Sequence, residues 1–163
     1  MPIFYSAVEV IEMAVQTEKA GKGFYEGVAK KTNNNQLKEL FDFLAQEETK
    51  HQAIFSELYK TIKESPQTMP YNWEELKLYL AAITESRFFL GKDKAINLVK
   101  EAKTPQKAIE QALDFERDTM LFYNEITTIV AEKDRPVVTK IIEQEKSHIR
   151  KLQALKSTLS GLK

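Results

Sequence analysis

Along most of the chain, apolar residues recur at intervals of three and four, the spacing that lines one face of an α-helix. Ser6 with Glu9 makes a capping box that opens the first such stretch, which extends to about Lys31. The polar run Thr32-Asn33-Asn34-Asn35 reads as a tight connection and N-cap, and a second helix follows to about Lys63. Ser65-Pro66 and Pro70 break the pattern. Asn72 with Glu75 then predicts a capped helix through about Ser86, its buried face being Trp73, Leu76, Leu80 and Ile83. Gly91 interrupts, and a short helix is predicted around Lys94–Ala102. Thr104-Pro105 supplies an N-cap and a first-turn proline for a long helix to about Glu132. Asp134-Arg135-Pro136 turns the chain into a last helix ending near Ser160. Two long hairpins joined by a partly helical crossover (about 64–104) predict an all-α four-helix bundle, with residues 1–163 as one domain.

Each long helix also has a seam that should face the bundle interior. The second helix gives Leu37, Phe41, Leu44, Glu48, His51, Phe55, Leu58 and Ile62; the fourth gives Val138, Ile141, Glu145, His148, Leu152, Leu155 and Leu159. The third gives Ile109, Ala112, Glu116, Thr119, Tyr123, Ile126 and Val130. The first gives Val8, Ile11, Val15, Glu18, an imperfect Lys22, Tyr25 and Ala29. Four glutamates and both histidines of the chain therefore fall on seams that are otherwise apolar.

The hairpins repeat one another. Glu18-x5-Phe24-Tyr25 returns as Glu116-x5-Phe122-Tyr123, and Glu48-x-x-His51 returns as Glu145-x-x-His148. The near-constant offset is what a tandem duplication produces, and pseudo-twofold symmetry follows from it. Glu18 lies as far before the Asn33-Asn34 turn as Glu48 lies after it, and Glu116 and Glu145 are symmetric about residues 130–131. With a constant helical rise, all six side chains reach one layer of the bundle.

Such a layer has a charge problem. Desolvating an ion costs several kcal/mol, and like charges add repulsion. Either the carboxyls are protonated with raised pKa values, or cations neutralise them; two divalent cations cancel four carboxylates. Glu-x-x-His puts both side chains on one helix face, one turn apart, so the carboxylate can bridge two metals while the histidine binds one. One glutamate from each of two helices and Glu-x-x-His from each of the other two form the ligand set of di-iron and di-manganese carboxylate bundles. Oxygen-rich coordination with one nitrogen per metal suits iron or manganese, with zinc as an adventitious occupant. Tyr25 and Tyr123 read either as plain core aromatics or as hydrogen-bond donors to a ligating carboxylate. Glu9, Glu12, Glu47, Glu110 and Glu143 read as acids on solvated faces.

Composition narrows the function classes. The 24 basic residues balance the 24 acidic ones, which argues against a nucleic-acid binder or a polybasic membrane-surface protein. Placing four acids inside leaves 24 bases against 20 acids outside. No window approaches a membrane span, and the N-terminal stretch lacks the basic flank of a signal peptide, so a cytoplasmic protein is expected. Zero cysteine removes disulfides, thiol catalysis and iron–sulfur clusters together.

These residues resemble the rubrerythrin branch of the ferritin-like superfamily. The resemblance rests on Glu18-x-x-Gly21-x-x-Phe24-Tyr25, Glu48-x-x-His51, Glu116 with Phe122-Tyr123, and Glu145-x-x-His148, and spans all four long helices. It implies a non-haem di-iron centre that reacts with peroxide or dioxygen, with Glu18, Glu48, His51, Glu116, Glu145 and His148 as ligands, and a homodimer. Three features depart from it. The four-cysteine rubredoxin-like iron site is missing, so electrons must come from a separate donor protein. Thr119 stands where rubrerythrin carries an extra glutamate, which bears on its peroxidase chemistry. The 65 residues from His51 to Glu116 make a long crossover, which argues against a bacterioferritin-type cage.

The expected function is thus a di-iron oxidoreductase acting on peroxide or O2. Its rivals are a ferroxidase or iron-storage protein, and a structurally metallated helical bundle serving as an interaction module. Oxygenase chemistry would require an apolar access channel.

Overall fold

The computed structural model describes residues 6–65, 69–85 and 92–161. They form α1 (Ala7–Lys31), α2 (Asn35–Glu64), α3 (Trp73–Thr84), α4 (Lys92–Glu101), α5 (Pro105–Ile129) and α6 (Arg135–Leu159), with a 3-10 turn at Glu132–Asp134. Pro66, Ser86 and Gly91, read from sequence as breaks or ends, lie outside the described residues.

Among the described residues, side-chain caps account for three of the six helix starts. The Ser6 hydroxyl accepts from the Glu9 backbone N–H, Asn34 Oδ1 accepts from that of Leu37 at 2.9 Å, and Thr104 Oγ1 accepts from that of Lys107 at 3.1 Å. Each bond satisfies one of the orphan donors of a first turn and contributes about 1 kcal/mol. Asn72 behaves differently from its sequence reading and makes no side-chain cap. Its backbone (φ −94°, ψ 27°) is outside the extended region from which a capping side chain reaches back over the first turn.

α5 ends three residues earlier than periodicity predicts. Val130 turns extended (φ −75°, ψ 157°) yet stays buried, so it keeps its seam position without helical backbone. The run Ile126-Thr127-Thr128-Ile129-Val130 is β-branched throughout, and such residues lose side-chain freedom in a helix.

Two hairpins, α1 with α2 and α5 with α6, close into a bundle through contacts of α1 with α5 and of α2 with α6. α4 lies against α1, and α3 against α5, so the crossover covers the α1/α5 side. Among the described residues, no helix is long and apolar enough to cross a membrane.

The seams of α2 and α5 are buried at every predicted position. That of α6 is buried as far as Leu152, while Leu155 and Leu159 pack only partly against the core. In α1 the buried stripe is rotated from the predicted one. Ala14 and Gly21 face inward, Val15 is half-buried, and the Lys22 side chain is 37% exposed. The cause is close approach: a Cβ at Gly21 would sit 2.8 Å from the Phe115 ring of α5, so small residues occupy the tightest part of the contact.

Candidate metal centre

All six residues picked from the seams meet in the middle of the bundle. Glu18, Glu116 and Glu145 are fully buried, Glu48 and His51 are 1% exposed, and His148 is 2% exposed. α1 supplies Glu18, α2 supplies Glu48 and His51, α5 supplies Glu116, and α6 supplies Glu145 and His148.

Their arrangement is two overlapping groups. Ligand atoms of Glu18, Glu48, His51 and Glu145 lie within 4.8 Å of one another, and so do those of Glu48, Glu116, Glu145 and His148. Glu48 and Glu145 belong to both groups; the other four belong to one each. Glu145 is the more central of the shared pair. Its Oε1 is 3.0 Å from His51 Nδ1 and its Oε2 is 2.8 Å from His148 Nδ1. Glu48 spans the same gap more loosely, at 3.9 Å and 3.8 Å. Glu18 stands 3.6 Å from His51 Nδ1, and Glu116 stands 3.6 Å from His148 Nδ1. The imidazoles are near-parallel, with ring centroids 5.7 Å apart.

Both tyrosines act across the hairpin boundary. Tyr25 of α1 donates to Glu116 of α5, and Tyr123 of α5 donates to Glu18 of α1 at 2.5 Å. Phe41 meets the Tyr25 ring edge-on at 5.0 Å, and Phe55 packs on the Tyr123 ring at 4.8 Å, which fixes where each hydroxyl points. Of the two sequence readings, the hydrogen-bonding one is therefore the geometry found.

Electrostatics follows from burial. Burial, reinforced by neighbouring carboxylates, raises Glu48 well above the ordinary carboxyl range; it raises Glu18 as well, against hydrogen bonds that pull the other way. Burial and the Glu145 charge push Glu116 to about 8. Burial would raise Glu145 too, but the close approach of the His148 and His51 imidazoles outweighs it and holds Glu145 well below the usual range. Burial would lower both imidazoles, but their carboxylate partners prevail and lift His51 to about 9 and His148 to about 10. Burial and the adjacent carboxylates raise Tyr25 and Tyr123 well above the ordinary phenol value, so both stay protonated donors. Without cations, protons are what stabilise this core.

Protons do not satisfy its hydrogen bonding. Glu18 Oε2, Glu48 Oε1, Glu116 Oε2, both Glu145 oxygens and Nδ1 of both histidines are buried without a hydrogen-bond partner among the described residues. Orphaned polar atoms at this density are costly in a folded core, and seven of the nine found among the described residues belong to the six converging side chains. They face one another across a space bounded by oxygen and nitrogen lone pairs. The donor set, two shared carboxylates with one carboxylate and one imidazole on each side, fits two divalent cations.

The sequence model of the Rubrerythrin family matches residues 9–156, a span that holds all six residues. The chain belongs to the rubrerythrin family. A solved structure from Thermotoga maritima, of a candidate ferritin-like diiron-carboxylate protein, is 24% identical to this rubrerythrin-family chain. The alignment covers 96% of this chain and 97% of that one with a TM-score of 0.68, so the two share the fold. Comparison with curated proteins finds no match.

Sequence reasoning missed four residues around this centre. Gln144 Oε1 lies 3.2 Å from His51 Nε2, behind the imidazole. Phe43 stands edge-on to His148, with centroids 6.3 Å apart. Phe115 fills the space that Gly21 leaves. Glu47, read as a solvated-face acid, is 8% exposed and paired with Lys50 at 2.5 Å. One signal was available: Glu47 and Gln144 occupy equivalent places in the repeat, each just before a shared glutamate. Thr119, where rubrerythrin carries an extra glutamate, is buried with no hydrogen-bond partner for its hydroxyl among the described residues.

Proposed function

We propose that this protein is a di-iron carboxylate oxidoreductase that reduces hydrogen peroxide, or more slowly dioxygen, with two irons held at the bundle centre. Residues 1–163 act in this reading as one di-iron domain. The observation that carries it is the pair of overlapping four-residue groups, sharing Glu48 and Glu145, in which seven buried oxygen and nitrogen atoms have no hydrogen-bond partner among the described residues. Glu48 and Glu145 would bridge the irons, Glu18 and Glu116 would be terminal ligands, and His51 and His148 would hold one iron each. Manganese fits the same donors, and zinc fits them as an adventitious occupant.

When bound, the iron pair supplies two electrons by passing from Fe(II) to Fe(III), the number that takes H2O2 and two protons to two waters. The chain contributes everything else. Burial of all six side chains keeps bulk water from the centre and strengthens each charge interaction inside it. Tyr25 and Tyr123 hold Glu116 and Glu18 by one oxygen each, leaving the other oxygen for coordination.

With no cysteine in the chain, resetting the centre falls to a separate electron-donor protein. A cytoplasmic setting and a homodimer complete the proposal; size-exclusion chromatography of the loaded protein tests the latter, and a large cage would favour iron storage. The reaction itself is tested by loading Fe(II) anaerobically and mixing rapidly with H2O2 or O2. One peroxide consumed per two Fe(II), faster than dioxygen by orders of magnitude, supports the proposal. Faster oxidation by O2 with accumulation of ferric mineral would support the ferroxidase reading instead.

A further inference from the structure

The two halves of the centre match toward the interior and differ behind the imidazoles. Inside, Glu48 and Glu145 are shared, and the Tyr25–Glu116 and Tyr123–Glu18 bonds are mirror equivalents. Behind His51, the Gln144 amide oxygen sits 3.2 Å from Nε2. An amide oxygen only accepts, so Nε2 is the donor to Gln144 and Nδ1 is the nitrogen left to coordinate a metal. His148 instead has a T-shaped contact with the Phe43 ring, centroids 6.3 Å apart; Phe43 is 39% exposed and overlain by Lys151 Nζ at 5.5 Å. Among the described residues, no side chain accepts a hydrogen bond from His148 Nε2. The repeat does not supply one by symmetry: the counterpart of Gln144 is Glu47, which is held by Lys50.

We infer that the half formed by Glu18, Glu48, His51 and Glu145 takes its metal first and more tightly, and that Gln144 is the positioning residue responsible. The inference rests on the two-metal reading above. An acceptor behind a ligating imidazole fixes its tautomer and ring orientation, and losing such a partner costs roughly 10- to 100-fold in metal affinity. His51 has that support from the protein and His148 does not. The carboxylates cannot create the difference, since each half holds the same three kinds.

The test is Zn(II) titration of the metal-free full chain, followed by calorimetry and by NMR of the imidazole nitrogens. Zn(II) is diamagnetic and redox-silent, and the chain's two histidines give one ring spectrum each. The His51 signals should move during the first equivalent and the His148 signals during the second, with step constants separated by roughly 10- to 100-fold. In the loaded protein, the His51 Nε2 hydrogen should exchange with solvent more slowly than that of His148. Gln144 is only partly buried, so Gln144→Leu should fold; it should bring the two steps together and speed exchange at His51. Gln144→Glu keeps an acceptor and should preserve the order. Simultaneous filling in the unmodified protein, or an unchanged separation in Gln144→Leu, overturns the inference while two bound metals leave the di-metal reading standing. Fewer than two Zn(II) per chain overturns both.

Discussion

Tyr123 donates its hydroxyl hydrogen to Glu18 Oε1 at 2.5 Å, joining two residues 105 positions apart and tying α5 to α1 at the depth of the carboxylate layer. Its mirror, Tyr25 to Glu116, ties α1 to α5 in the opposite sense, so each hairpin orients a carboxylate belonging to the other. Tyr123→Phe leaves a buried carboxyl oxygen without its partner, which costs about 1–3 kcal/mol. Urea denaturation of the metal-free protein should show that loss, with a smaller midpoint and an unchanged slope. A midpoint equal to that of the unmodified chain would mean that the bond contributes nothing.

Two glycines of α1, two positions apart, should respond oppositely to the same change. Gly23 has open space where a Cβ would go, so Gly23→Ala should stabilise the protein by about 0.5–1 kcal/mol through helix propensity. Gly21→Ala would place its methyl 2.8 Å from Phe115 and 3.6 Å from the Glu48 carboxyl carbon. Overpacking of this kind costs about 1–3 kcal/mol, which exceeds the propensity gain. Thermal melts of the two variants should therefore move in opposite directions, and Gly21→Ala should also weaken metal binding.

Proton linkage gives a signed pH dependence. In the metal-free fold His51 and His148 lie above their ordinary value of 6.5, and Glu116 lies above 4.5. Raised folded-state values mean that the folded chain binds more protons than the unfolded one. The stability from Glu116 is complete below about pH 4.5 and lost as pH rises through about 8; that from the imidazoles is complete below about 6.5 and lost through about 9 to 10. Glu145 runs the other way and loses its contribution only in acid. Metal-free protein should thus melt at progressively lower temperature from pH 6 to pH 10. Metals displace these protons, so affinity should tighten by on the order of tenfold or more per pH unit near neutrality. Melting curves with and without chelator at pH 6 and pH 8.5 check both statements: the gap between them should widen with pH.

The shared position of Glu145 distinguishes it from the terminal glutamates. Glu145→Gln removes a charge common to both groups and should abolish or severely weaken binding of both metals. Glu18→Gln should spare the group that contains Glu116 and His148, and retain one metal. Metal analysis after dialysis reads the difference directly, and equal losses in the two variants would contradict the shared role.

Much of this was legible in the sequence because a buried charge is so rarely tolerated. Glu48 and His51 interrupt an apolar seam that is otherwise complete, and the same interruption recurs at Glu145 and His148. Helical geometry then sets their depth. Two of the failures come from packing between helices, which periodicity along one helix does not encode. Lys22 holds the seam position by count, but Gly21 takes the inside because Phe115 comes from another helix. Gln144 is one residue off its seam, and its role emerges only when α2 is placed beside α6. The β-branched run at Ile126–Val130 could have been read as an early end to α5.

The central claim is that the six side chains hold two metals. Anaerobic titration of the metal-free protein with Fe(II), followed by calorimetry and by metal analysis of the desalted product, measures this directly. Two Fe(II) bound per chain, with proton release growing in more acidic buffer, is the predicted result. One Fe(II) per chain, or none, would contradict it.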